Sequence, residues 1–435
     1  MKYTLLSAAV LSALALAAFS ASADPAEASE ASEGTEASDS TENAKMPVTY
    51  VDSTRTVTVG GITYAVDQDS THHDIGLTVL SLADSLKTLK EISIPAYIPE
   101  LNMNVVQIQA NSFRNFTNLE KLSIPSTVNY LYGGVCDGCT ALREFNVTGG
   151  SSQIAYIDIN VFRGCANLKT VAEMPRLTHI GDSAFAGSGI ESFTGNPSLA
   201  YIGRNAFANC NDLKAVTLDG PLKQIQDGVF SNCTALQTVD FGDSEIAHIG
   251  IGSFEGCTSL QNPKFPSTLS DIGQNAFKGC SSMSVVDLQQ TVLTHISANA
   301  FEGCSNISEV VFPSTLNSSA TIGNNAFKDC PNITTVMTFA TTTAWGADNV
   351  FDQSVYNNAT LRVPTGAGDA YKNTGSFWRL FNHSNIETAV DTLAQDPADT
   401  PAEYFSLSGA RSDRPEPGSV CIVRRGNTVS KVIFR

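Results

Sequence analysis

Basic residues are scarce in this 435-residue chain: 26 Lys and Arg stand against 43 Asp and Glu, a formal net charge of −17. A polyanion would be repelled, which excludes nucleic-acid binding. Histidine occurs only six times. There is no H-E-x-x-H, no G-x-S-x-G elbow, no P-loop and no G-x-G-x-x-G after a strand, so the commonest hydrolase and nucleotide-binding signatures are missing. Cysteine is absent from the first 135 residues, which removes an N-terminal lipobox. Beyond residue 23 no apolar run reaches the length of a membrane helix.

What the chain has in abundance is one short pattern, an apolar residue followed three places later by a small one, usually Cys. The copies are Phe113 with Phe116, Cys136 with Cys139, Phe162 with Cys165, Phe185 with Ser188, Phe207 with Cys210, Phe230 with Cys233, Phe254 with Cys257, Phe277 with Cys280, Phe301 with Cys304, Phe327 with Cys330, and Phe351 with Ser354. Leading residues are 22 to 26 apart, within the leucine-rich-repeat range. A unit that short cannot bury its own apolar face, so neighbouring coils must stack into one continuous core.

Each coil divides into recognisable parts. After the Cys comes a strand of type L-x-x-V-x-L, as in Leu213, Val216 and Leu218 or Ile307, Val310 and Phe312. The last two apolar positions are two apart and share the inward face, while the residues between face solvent. Pro often closes the strand (Pro95, Pro125, Pro266, Pro313), because it lacks the donor that a ladder needs. An Ile-Gly pair follows at Gly181, Gly203, Gly250, Gly273 and Gly323. Asn stands two places before the leading residue in seven coils (Asn111, Asn160, Asn205, Asn275, Asn299, Asn325, Asn349), suiting a turn or the cap of a short helix.

Phrases such as TLSDIGQNAFKGCSSMSVVDL and HISANAFEGCSNISEVVFPSTL resemble the BspA-like leucine-rich-repeat family of bacterial, Bacteroidetes-type surface proteins over about residues 48 to 385. The resemblance implies an α/β leucine-rich-repeat solenoid, here about eleven coils of ~24 residues with one strand and one short helical turn each. TVTVGGITYAV looks like the family's N-terminal hairpin cap and ATLRVPTGAGDAYKNTGSFWRLFNHSNIET like its C-terminal cap. Family members are associated with adhesion to host or partner-cell surfaces.

The expected organisation is a signal peptide at 1–23, an acidic disordered linker at 24–45, an N-terminal cap at 46–100, repeats at 101–350, a C-terminal cap at 351–386, a linker at 387–402 and a short β tail at 403–435. Lys2, the apolar run from Thr4 to Phe19 and the Ala21-Ser22-Ala23 exit form the signal. Acidic residues then recur every third position from Asp24 to Glu42 among small residues, too little apolar surface to offset ordering. Asp39-Ser40-Thr41 and Asp391-Thr392-Leu393 resemble O-glycosylation sites of Bacteroidetes exported proteins, and the tail resembles their C-terminal sorting or anchoring segments. The expected location is the cell surface or the extracellular space, with the periplasm as the alternative.

Eight cysteines (Cys139, Cys165, Cys210, Cys233, Cys257, Cys280, Cys304, Cys330) occupy one coil position. Equivalent residues of stacked coils are about 4.8 Å apart with parallel side chains, roughly 1 Å too far for the Cβ atoms of a disulfide. A buried ladder of reduced thiols acting as small hydrophobes is therefore expected. Cys136-Asp137-Gly138-Cys139 is the only C-x-x-C, with Cys136 standing in the Phe slot, and Cys421 is alone in the tail. His179, His248 and His295 share one coil position, but at about 4.8 Å per coil they stand roughly 14 and 10 Å apart, so solvated surface residues are expected and no metal site or cofactor.

Tyr130, Tyr156 and Tyr201 take the same position in other coils and are the candidate contact residues; the alternative is that they pack against the neighbouring turn. The outward strand positions carry no aromatic residue and no block of one charge, although tight protein contacts favour Trp, Tyr and Arg. An enzyme would need a convergent catalytic set that the repeat spreads apart. The expected function is a non-enzymatic surface or secreted binding protein, an adhesin for host or bacterial surface molecules, protein or glycan. The alternative is a surface glycan- or nutrient-binding protein, for which a clustered aromatic platform should appear in the fold.

Overall fold

The computed structural model describes residues 48–51, 56–67, 76–242, 244–390, 403–405, 411–412, 420–425 and 428–433. The expected signal peptide and acidic linker lie outside the described residues, as does most of 387–402.

The described residues up to Val390 form a β-solenoid of about thirteen turns. One ladder begins with an antiparallel meander, Val48–Val51, Thr56–Val59, Ile62–Asp67 and Gly76–Leu82. Gly60 and Gly61, at φ 58° and 80°, supply the left-handed turn of its second hairpin. From Gly76–Leu82 the ladder turns parallel through Met103–Ile108, then two-residue rungs ending in Leu131, Ile157, Ile180 and Ile202. A further sheet carries the same rungs on from Gln224–Ile225 to Trp345–Gly346. In nearly every rung the second residue is a buried aliphatic and the first reaches the surface.

The L-x-x-V-x-L strands make the other parallel ladder. It runs Glu91–Ser93, Lys121–Pro125, Glu144–Thr148 and Thr170–Val171, resumes at Ser192–Thr194, Ala215–Thr217 and Thr238–Asp240, and resumes again at Val285–Asp287. The second interruption has a clear cause. Pro263 has no N–H for the ladder, and the Asn262 side chain bridges to the next coil instead, its Oδ1 accepting from the N–H groups of Ser284 (2.8 Å) and Val285 (3.0 Å). A groove of about 510 Å³ opens at the first interruption, with Val171, Met174, Phe185 and Phe193 in its walls.

Two expectations are corrected. The α/β description does not hold, because the described residues contain only two short α-helices, Gln353–Asn358 and Gly368–Lys372, and only the first meets a repeat pair, the last one, at Ser354. In ten coils the residues two before and two after the leading position both take left-handed φ; Asn160 and Gly164 (56° and 70°) flank Phe162, and Asn275 and Gly279 (57° and 75°) flank Phe277. A left-handed residue on either side prevents an α-helix from propagating. The backbone then alternates its bonding: Asn160, Phe162 and Gly164 donate to Asp182, Ala184 and Ala186 one coil on, while Arg163 and Cys165 close local turns onto Asn160 and Phe162.

The count of eleven coils is also low. The ladders continue beyond the Phe-x-x-Cys copies into 76–93 and 360–390, whose turns carry no such pair.

Stacking gives the core its regularity. From Phe162 to Phe351 successive Phe rings lie 5.0 to 5.5 Å apart with interplanar angles of 1° to 24°. At the C-terminal end the fully buried Trp378 donates from Nε1 to the Ala344 carbonyl (3.2 Å), and the Tyr371 hydroxyl donates to that of Ala340 (2.8 Å). Strand Ile386–Val390 runs across the expected boundary between cap and linker. In the tail, Glu403–Phe405, Arg411–Ser412, Val420–Arg425 and Thr428–Ile433 pair antiparallel in a sheet of their own.

Candidate functional site

The first residue of each short rung stands on the surface in register with its neighbours, so this position writes a row of side chains along the solenoid. In four consecutive coils the row reads Tyr130, Tyr156, His179, Tyr201. The rings stack: Tyr130 to Tyr156 at 5.4 Å and 16°, Tyr156 to His179 at 4.4 Å and 12°, His179 to Tyr201 at 5.9 Å and 32°. Tyr132 extends the row, its ring 4.4 Å from Tyr130. The three tyrosines singled out from sequence are thus brought together, joined by His179 and Tyr132, and Tyr156 and Tyr201 keep 39% and 38% of their surface exposed. Stacking turns the ring faces of Tyr130, Tyr156 and His179 toward one another. Partial burial, with the charge of Asp158 nearby, pushes the Tyr130 hydroxyl above the ordinary phenol range.

Farther along the same row stand His248, Asp271 and His295 in three consecutive coils. The Nδ1 atoms of His248 and His295 lie 3.0 and 3.2 Å from the two carboxylate oxygens of Asp271. His248 and His295 are exposed, as expected of solvated surface residues, and a carboxylate from the intervening coil bridges the two. Among the described residues no group of three His, Cys, Asp or Glu is placed to hold a metal ion.

The eight ladder cysteines are fully buried, and all are free thiols. Each does more than fill space. Cys139, Cys233, Cys257, Cys280, Cys304 and Cys330 donate to the carbonyls of Phe113, Phe207, Phe230, Phe254, Phe277 and Phe301 at 3.0 to 3.2 Å, always one coil back. Cys165 and Cys210 do the same to Cys136 and Phe185. Ser188, another small polar residue, stands in the same slot with its hydroxyl 3.4 Å from the Cys210 sulfur. Burial pushes the Cys257 and Cys330 thiols up to about 12, and those of Cys280 and Cys304 upward as well. Cys136 is buried and free beside Cys139, and the side chain of Cys421 lies outside the described residues.

A cluster that sequence reading missed lies at the Tyr132 end of the row. Asp137, 7% exposed, receives both prongs of the Arg163 guanidinium (2.8 and 2.7 Å), and Arg114 Nε lies 3.2 Å away. The partners come from three successive coils, 23 and 26 residues from Asp137, so only the coil register reveals them. No helix among the described residues is long and apolar enough to cross a membrane.

The profile of the BspA type Leucine rich repeat region matches residues 89–156, 149–248 and 223–358 in six copies. No curated protein matches the chain. Among solved structures, a leucine-rich repeat protein from Bacteroides ovatus is similar at 21% identity with a TM-score of 0.51, covering 71% of this chain and 88% of that one. A leucine rich cell surface protein from Faecalibacterium prausnitzii covers 65% of this chain and 94% of its own at 19% identity and a TM-score of 0.32. The Treponema pallidum Leucine Rich Repeat protein is 25% identical over 46% of this chain and 88% of its own, with a TM-score of 0.41. The Bacteroides ovatus likeness concerns the fold, and the profile spans most of the solenoid: this chain belongs to the BspA-type leucine-rich-repeat family.

Proposed function

We propose that the chain is an exported, non-enzymatic binding protein of the cell surface, an adhesin contacting host matrix or partner-cell molecules. The observation that carries this reading is the exposed aromatic row from Tyr130 to Tyr201, held rigid by ring stacking on a solenoid. Tyr is enriched where protein contacts are strongest, and a pre-stacked row loses little side-chain freedom on binding. The thiols support a non-enzymatic role, because the eight of the ladder are buried and each donates to a backbone carbonyl.

The alternative, a glycan- or nutrient-binding surface protein, called for a clustered aromatic platform. The cluster exists, but its ring faces are engaged with each other, so along the row it offers a sugar little flat surface. Biolayer interferometry of the full chain against host matrix proteins and glycans at physiological salt tests the proposal. Saturable matrix-protein binding supports the adhesin, and glycan-only binding moves the conclusion to the alternative. Silence toward both, with surface display absent in protease shaving of intact cells, overturns it.

A further inference from the structure

The cleft beside Tyr132 has a chemistry that the rest of the row lacks. It holds about 350 Å³ between the coils of Asn111, Gly134 and Asn160. Its coil departs from the repeat at two places: Cys136 replaces the leading Phe, and Gly133 carries no side chain where other coils have residues such as Ile159 and Arg204. Gly134 is left-handed (φ 67°), and a Cβ there would fall 2.5 Å from Asn111 Oδ1.

Asp137 at the base fixes two guanidiniums at once. Its contacts consume Nε of Arg114, and Nε and Nη2 of Arg163. Both terminal nitrogens of Arg114 and the remaining one of Arg163 have no acceptor among the described residues, so the cleft presents fixed donors. Asp158 lines the same space; its Oδ1 accepts from the Ile159 N–H at 2.8 Å, and its Oδ2 adds an acceptor. Two guanidiniums and two carboxylates sum to no net charge, so an anion gains nothing over a neutral molecule here, and the chain as a whole repels it at −17. Paired donors and acceptors beside a ring suit vicinal hydroxyls with an apolar C–H face, and Tyr132 supplies that ring, braced by Tyr130.

We infer that this cleft binds one neutral saccharide unit, with Tyr132 against its C–H face and Arg114, Arg163 and Asp158 on its hydroxyls. The inference rests on the surface-binding reading and adds a ligand class and a place to it.

Saturation-transfer NMR on the full chain, with methyl glycosides of mannose, galactose, glucose, N-acetylglucosamine and fucose as probes, tests it. At least one glycoside should show transfer that sulfate does not displace. Asp158→Asn keeps the bond to the Ile159 N–H, so the fold is spared, and it should cut that transfer at least fivefold. Lys223→Gln, in a distant coil, should leave it unchanged. No transfer to any glycoside, full transfer with Asp158→Asn, or displacement by sulfate would each overturn the inference. Matrix-protein capture measured in parallel reads the adhesin separately, since its absence would sink that proposal and leave a glycoside signal standing.

Discussion

The thiol of Cys257 lies 3.1 Å from the carbonyl oxygen of Phe230, one coil earlier, and that same oxygen accepts the N–H of Cys233 at 3.2 Å. One carbonyl thus serves two donors, one closing its own turn and one tying down the next. The arrangement recurs at Phe207, Phe254, Phe277 and Phe301. Cys257→Ala removes the donor and leaves a small void, and should cost about 2 kcal/mol in chemical denaturation. Cys257→Ser keeps a donor of similar size and should cost less than about 1 kcal/mol. Equal losses for the two would show that the slot selects volume alone.

Because burial raises the Cys257 and Cys330 thiols from near 9 to about 12, the folded state binds protons more tightly than the unfolded one at these two positions. Their contribution is whole below about pH 9 and is lost as pH climbs toward 12, at about 1.4 kcal/mol per thiol per pH unit. Tyr64 and Tyr371, also raised to about 12 by burial, act in the same direction. Unfolding midpoints in denaturant should therefore fall steeply between pH 9 and 12, and a flat profile would contradict the buried, protonated ladder.

Asn275 combines a left-handed backbone (φ 57°) with a buried Oδ1 that has no hydrogen-bond partner. Asn275→Gly relieves both, and matches the Gly already standing at positions 134, 228 and 252 of other coils. It should be neutral or stabilising by up to about 1 kcal/mol in thermal unfolding, whereas Asn275→Ala should destabilise by about 1–2 kcal/mol.

Trp378 closes the C-terminal end of the core with no exposed surface. Trp378→Ala should cost about 3–5 kcal/mol. In a solenoid each coil leans on its neighbours, so hydrogen exchange should rise first in strands Thr335–Thr338 and Thr360–Pro364 and spare Tyr156–Ile157. Uniform exchange along the chain would argue for a single cooperative unit instead.

Much of the fold was legible because one slot repeats: Phe162, Phe185 and Phe207 mark the stack, and inward strand residues such as Val216 with Leu218 and Val310 with Phe312 are buried as their two-residue spacing requires. The helical turn was misread although its contradiction stood in the sequence. Gly or Asn directly before the ladder Cys, as at Gly164, Asn209 and Gly279, or once Asp329, places a second left-handed residue in every such turn. The first and last turns carry no Phe-x-x-Cys pair, which hid them from the count.

The candidate surface was half legible. Aligning Tyr130, Tyr156 and Tyr201 exposed the row, and His179 held the same rung position. Asp271 escaped because a search for histidines passes over the carboxylate standing between them. The Asp137 cluster depended on departures from the repeat, which a pattern built on its regularities discards.

The most direct test of the surface-binding account compares the full chain with a Tyr156→Ala/Tyr201→Ala double variant for binding to whichever matrix protein it captures, melting temperature being followed alongside. The account predicts at least a tenfold weaker Kd, about 1.4 kcal/mol, with the fold intact, while Thr217→Ala/Thr238→Ala on the other ladder stays within twofold of the parent chain. Undiminished binding by the tyrosine variant, or equal loss from both, would contradict it.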